Sequence, residues 1–444
     1  MIEKNGFGAE EALQQLKSFK VRLRCGEAIR SSVPLQAAFL TAVNTAARAF
    51  LGGVQVELPA DVICLLPWPG AGSLNAIALE LGANFTSEVE PGLLTLHFGT
   101  GEKPTDEEIV VWATDWRGGV FTESEVTPVN GTGLLPLGGV YAGGLAVALA
   151  FLKTAKIQPQ ALDKTTGISL WRPDLNWLAK DAEGPADVAV PTKLWLLGLG
   201  HLGQAYLWTL GLLPFPASAG VEFFLQDHDK AVEANLSAGL LCTANDVDQL
   251  KTRICADWLA KRGLATRLIE RKFDLSTVRG EGEPYVALCG FDNAYSRSIL
   301  ENAGFDLVVE AGLGDSLENF DKIMLHTFPS EFQTAEKVWG DLQTGLLPKE
   351  RVLQALSATA KKVCGILELT IAGKAVSSSF VGACAASLAV AELLRARNGG
   401  LKIDKLVTQL RVPDDTRVGA AGGTYTTELG RSSYQELSIL KVNV

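Results

Sequence analysis

Residues 193–204 read KLWLLGLGHLGQ. An apolar run opens at Lys193, and Gly198, Gly200 and Gly203 follow it at the spacing G-x-G-x-x-G. A buried strand, a tight turn and the first turn of a helix account for this pattern. In such a unit Gly198 permits the turn, Gly200 lets the main chain come close to a phosphate, and Gly203 lets helix and strand pack closely. The N–H groups at the helix start then hold an anion. This is the dinucleotide fingerprint in its proper context, and it predicts an α/β chain. NAD and FAD enzymes carry the same fingerprint, so it does not name a function.

The next apolar run, VEFFLQD at 221–227, discriminates better. It ends at Asp227, where a carboxylate can accept from ribose hydroxyls. Asp229, Glu233 and Asn235 follow at once. A dehydrogenase needs only the first acid. The cluster D-x-D-x-x-x-E-x-N resembles the nucleotide site of the ThiF/MoeB/HesA superfamily, which includes the ubiquitin-activating enzymes. Members adenylate a C-terminal carboxylate. Among them the chain looks most like the bacterial proteins of BIL-type operons, which encode a modifier, a conjugating enzyme and a deconjugating protease.

The resemblance covers 193–395 and implies the following roles. ATP lies over Gly198, Gly200 and Gly203, with Asp227, Asp229 and Asn235 beside it. Lys251 reaches the phosphates. The segment CGFDNAYSR at 289–297 stands where the family has C-x-D-N-x-x-x-R, with one extra residue. Asp292 there holds Mg²⁺ beside the α-phosphate, and Asn293 lies next to it. Read without the resemblance, Asp292-Asn293 is a helix N-cap, and both readings can hold at once. Cys364 stands on the segment before the last helix, after Lys361 and Lys362, whose charge favours a thiolate. It is the candidate thioester nucleophile, with Cys289 and Cys384 as the alternatives. The family places Arg-Gln where this chain has Ala238 and Gly239. Arg253, or an arginine of the first half such as Arg22, Arg24 or Arg30, would have to take over.

Composition bounds these readings. The chain has 444 residues, 47% of them apolar, enough for two or three domains with sizeable cores. A net charge of −10 disfavours nucleic acid or an anionic membrane as the main partner. No secretion signal and no uninterrupted apolar run of about 18 residues is visible, so a cytoplasmic protein is expected. The seven cysteines show no C-x-x-C pair, which points to reduced thiols and away from a structural zinc. The four histidines (97, 201, 228, 326) show no metal spacing.

Two helical stretches resemble one another: LGGVYAGGLAVALAFL at 137–152 and FVGACAASLAVAELLR at 380–395. The reading is a duplication, two doubly wound Rossmann-like halves forming a pseudo-dimer, only the second with an intact loop. DVICLLPWPGAGSLNAIALELGA from Asp61 is read as the degenerate strand–turn–helix of the first half. The expected division is a degenerate domain at 1–160, a connection at 161–192 and an active domain at 193–399. The active domain carries a helical insert about 328–370, and C-terminal strands and tail follow at 400–444. The expected function is ATP-dependent activation of a ubiquitin-like protein, thioester formation and transfer to a conjugating enzyme. A non-catalytic adaptor of the same fold and an NAD- or FAD-dependent oxidoreductase remain open, as does monomer against homodimer.

Overall fold

The computed structural model describes residues 9–340 and 378–437, apart from 71, 86–89, 91, 100–107, 123–130, 132, 159–160, 162, 217–218, 315–318 and 425–433. In the first half α1 (Ala9–Ser18) leads into β1 (Lys20–Cys25), α2 (Val33–Ala49), β2 (Gly53–Glu57) and α3 (Leu74–Glu80). There follow β3 (Thr95–Phe98), β4 (Glu108–Ala113), β5 (Arg117–Phe121), α4 (Leu137–Thr154) and β6 (Thr166–Ser169). The sheet order is β2-β1-β3-β4-β5-β6. The first four are parallel, and β5 and β6 each run antiparallel to the strand before.

In the second half β7 (Val188–Pro191) precedes β8 (Lys193–Leu197), α5 (His201–Gly211), β9 (Glu222–Gln226), α6 (Lys251–Ala260) and β10 (Ala265–Ile269). Next come β11 (Val286–Cys289), α7 (Ala294–Ser298), β12 (Leu307–Leu313), β13 (Lys322–Phe328) and α8 (Ala335–Trp339). The chain closes with α9 (Ser379–Arg397), β14 (Leu401–Gln409), β15 (Arg417–Thr424) and β16 (Tyr434–Leu437), the last paired with β7. The large sheet is ordered β10-β9-β8-β11-β12-β13-β14-β15. Its segment β9-β8-β11-β12-β13-β14 repeats the first sheet strand for strand, with the same switch from parallel to antiparallel after the fourth. β10 and β15 are edge additions. The chain is therefore an α/β protein of two halves with one topology.

The halves share a core of helices. α4 packs on α2, α9 packs on α5, and α4 and α9 pack on each other. Both central helices are rich in glycine and alanine because backbones meet there. A methyl group at Gly139 would overlap the Pro34 carbonyl oxygen of α2. One at Gly382, the residue aligned with Gly139 in the repeat, would overlap the His201 ring of α5. α4 and α9 are long and apolar enough to cross a membrane, but 83% and 100% of their apolar windows are buried within the fold.

Two expectations need correction. Among the described residues the loop from Asp61 to Ser73 contributes no strand to the sheet and holds only an isolated bridge between Ile63 and Ser73. The strand–turn–helix of the first half is β1, the turn after Gly26 and α2. Ser32 caps α2 by accepting from the Leu35 N–H, and Pro34 fits its first turn. Secondly, the connection expected at 161–192 contains β6, an edge strand of the first sheet. Gly119 and Gly167 face each other across β5 and β6, leaving room for the Trp177 ring. The insert expected about 328–370 begins beyond β13 with α8, and its remainder from residue 341, Cys364 included, lies outside the described residues.

Candidate active site at the strand ends of the second sheet

β8 is an apolar run with four of its five residues buried, as suits a central parallel strand covered on both faces. It delivers Gly198 at φ +81°, a conformation that glycine adopts without cost. A side chain at Gly203 would overlap the Gly198 carbonyl oxygen. At Gly200 the opposite holds: a methyl group there would meet nothing within 4 Å. Gly200 is also the N-cap of α5 and offers no side-chain cap, so the first N–H groups of the helix are left to a ligand.

Neighbouring strand ends supply the charge. β9, β8 and β11 are adjacent and parallel, so Asp227, the glycine loop and Asp292 follow the same edge of the sheet. Asp227 Oδ2 accepts from the Leu199 N–H at 2.7 Å and Oδ1 accepts from the Asp229 N–H at 2.8 Å, fixing loop and acid together. Lys251 Nζ lies 3.1 Å from Asp229 Oδ2, and the Lys251 N–H donates to the Asp229 carbonyl at 3.0 Å. A bridge between Lys230 and Leu250 folds the intervening loop back so that these residues meet. Asp292 is exposed beyond β11. Asn293 caps α7, accepting from the Ser296 N–H at 2.7 Å, so the cap reading holds for Asn293. Tyr206 of α5 donates to the Cys289 carbonyl at 2.9 Å and ties the helix after the loop to the strand that presents Asp292.

Asn235 also has a structural role. Its Oδ1 accepts from the Val232 N–H at 2.9 Å and shapes the turn at 233–237. Arg253 is engaged by Glu270 at 2.9 and 3.3 Å. Arg22 and Arg24 pair with Glu57, and Arg30 pairs with Glu27 at 2.6 Å. An arginine of the first half that does cross to the second is Arg48 of α2. It donates to the Gly239 carbonyl at 3.0 Å and to those of Leu240 and Cys242 at 3.3 Å, while Asn44 donates to Leu240 at 3.1 Å. Burial lowers the Arg48 pKa to about 10. The sequence hint was a polar pair spaced i, i+4 on an alanine-rich helix. At the family's Arg-Gln positions Ala238 is buried, and a side chain at Gly239 would lie 2.5 Å from Gln204 Oε1 and 2.9 Å from the Asn235 carbonyl oxygen.

The carboxylates and His228 could also hold a cation. Ligand atoms of Asp227, His228 and Asp229 lie within 4.8 Å of one another. The open space at Gly200, the uncapped helix and the two carboxylates of this set fit a nucleotide with a hard divalent ion.

Among the cysteines, Cys289 and Cys384 are fully buried. Burial, reinforced by Glu310, pushes the Cys289 thiol up to about 12, and burial raises Cys384 well above its ordinary value. Neither is poised as a nucleophile. His201, in the glycine loop, has its pKa lowered to about 4 by burial. The folded state thus binds the proton more weakly than the unfolded chain. His201 contributes its full stability above about pH 6.5, and that contribution is lost as pH falls from there towards 4. Thermal melts of wild type and His201→Gln between pH 7 and 4.5 should show the wild type losing stability more steeply.

A curated relative, the bacterial E1-like protein BilD of Collimonas sp. (strain OK412), is 35% identical over 422 residues, covering 92% of this chain and 89% of the relative. The chain belongs to the BilD family of bacterial E1-like proteins. The model of the BilD N-terminal domain matches residues 20–170 and that of the BilD C-terminal domain matches 190–400. Solved structures of E. coli MccB are also similar, at 13% identity and a TM-score of 0.35, over 74% of this chain and 95% of MccB. A structure of MccB with AMPCPP and MccA gives a TM-score of 0.34, over 72% and 97% of the two chains.

Proposed function

We propose that this chain uses ATP to adenylate the C-terminal carboxylate of a ubiquitin-like protein. The observation that carries the reading is the bond from the Leu199 N–H to Asp227, which binds an open glycine loop to the acid of the next strand. In this mechanism the loop N–H groups and Lys251 hold the phosphates, and Asp227 holds the ribose. Asp292 would hold Mg²⁺, which when bound neutralises phosphate charge that repels the incoming carboxylate. A carboxylate oxygen of the partner attacks the α-phosphorus, the bond from that phosphorus to the α–β bridging oxygen breaks, and pyrophosphate leaves. ATP–pyrophosphate exchange that depends on the partner's intact C-terminal glycine tests this, and an oxidoreductase would show none.

The second step is assigned to Cys364. Its thiolate attacks the acyl carbon, AMP departs, and a conjugating enzyme's thiol takes the acyl group next. The burial of Cys289 and Cys384 supports this choice over the alternatives. Cys364→Ala should leave exchange intact and remove a reducible adduct on denaturing gels. Absence of both exchange and adduct in the wild type would favour the adaptor, a reading supported by Ala238 standing where the family has arginine. We assign the protein to the cytoplasm, in keeping with its six unpaired described cysteines.

A further inference from the structure

Asp292 leaves the sheet on a short segment, Gly290–Asn293, that lies against the glycine loop. A methyl group at Gly198 would sit 2.9 Å from the Phe291 ring, and one at Gly290 would sit 3.0 Å from the Gly203 nitrogen. The Gly290 N–H still donates to the Leu197 carbonyl of β8 at 2.8 Å, but β11 has ended at Cys289 and something else must set the height of residues 291–293. Arg297 does so from below. Its Nε donates to the Phe291 carbonyl at 2.7 Å, Nη2 donates to the same oxygen, and Nη2 also reaches the Ala311 carbonyl at 3.3 Å.

A guanidinium this buried needs a counter-charge. Glu310 of β12 provides it. Its side chain is wholly buried, and Oε2 lies 3.4 Å from Arg297 Nε. Its other oxygen accepts from Trp339 Nε1 at 3.2 Å and meets His326 Nδ1 at 2.6 Å. The Trp339 ring also covers the guanidinium, 4.5 Å from its carbon. Gly312 leaves the space: a side chain there would lie 3.1 Å from Arg297 Nη1.

We propose that Glu310 is a positioning residue for Asp292, acting through Arg297 and the Phe291 carbonyl, with Trp339 and His326 holding Glu310 in place. This rests on reading Asp292 as the magnesium-holding carboxylate. Without the counter-charge the fork on Phe291 loosens and the segment carrying Asp292 samples other heights. The fold of β8 and β11 does not depend on it.

The test uses the full chain without nucleotide. In Glu310→Gln, amide hydrogen exchange over 290–297 should speed up by about tenfold while β8 and β11 keep their protection. In Trp339→Phe, which keeps an aromatic ring but removes the indole N–H, the same segment should exchange about threefold faster. The half-saturating Mg²⁺ for ATP binding should rise about fivefold in Glu310→Gln, with ATP affinity in EDTA unchanged. Unchanged exchange in both variants, or faster exchange spread through β8 and β11, overturns the proposal. If Glu310→Gln fails to fold, Trp339→Phe decides it by the same criterion. Should Asp292→Asn leave the Mg²⁺ requirement unmoved, the reading of Asp292 fails, and the hydrogen-exchange result still judges the link from Glu310 to the segment.

Discussion

Replacing Asp292 with alanine is expected to lower ATP–pyrophosphate exchange by about two to three orders of magnitude, the scale of losing one group that stabilises transition-state charge. Stability should change by no more than about 0.5 kcal/mol, as for most exposed positions. The two expectations come from the same geometry. Asp292 is exposed at the open edge, and its neighbour Asn293 makes the helix cap. Asn293→Ala is the natural contrast, costing about 1 kcal/mol of stability through loss of the cap. Denaturant unfolding beside the exchange assay reads both. A large loss of stability in Asp292→Ala would move this residue from chemistry to scaffold.

Two glycines of one fingerprint should fail in opposite ways. In Gly203→Ala the new methyl meets the Gly198 carbonyl oxygen, and Gly198 cannot retreat because Phe291 and Gly290 press on it. Overpacking of this kind costs about 1–3 kcal/mol, and the loop loses its shape. In Gly200→Ala the methyl projects into open space, so the protein should fold as the wild type does. It then occupies room that a phosphate needs. Thermal melts with and without ATP and Mg²⁺ separate the cases. Gly203→Ala melts lower in either condition, whereas Gly200→Ala melts normally but loses the rise that ATP brings. A full ATP-dependent rise in Gly200→Ala would place the phosphates elsewhere.

The second half was legible because its signals are local. An apolar run, spaced glycines and an acid at the end of the next strand each act within a few residues. The first half misled for a physical reason. VICLLP at 62–67 is apolar and precedes glycines, yet β1 is the alternating stretch KVRLRC, whose inward residues Val21, Leu23 and Cys25 are buried while Arg22 and Arg24 face Glu57. Period-two burial, not apolarity, marked the strand. β6 was hidden by Gly167, a poor strand former excused here by Trp177. Arg48 and Trp339 act on residues some 190 and 29 positions away, at Gly239 and Glu310. Such contacts exist only once the chain has folded, and no spacing rule announces them.

The contact of α4 with α9 has a consequence for how this protein behaves in the cell. Two-chain assemblies obey mass action, and each partner spends time alone when scarce. Here one polypeptide supplies both mates, so dilution cannot part them, and Arg48 stays latched on the second half at any expression level. The same tether relieves the first half of any need to bind a nucleotide, since covering its neighbour's apolar helix is reason enough to keep it.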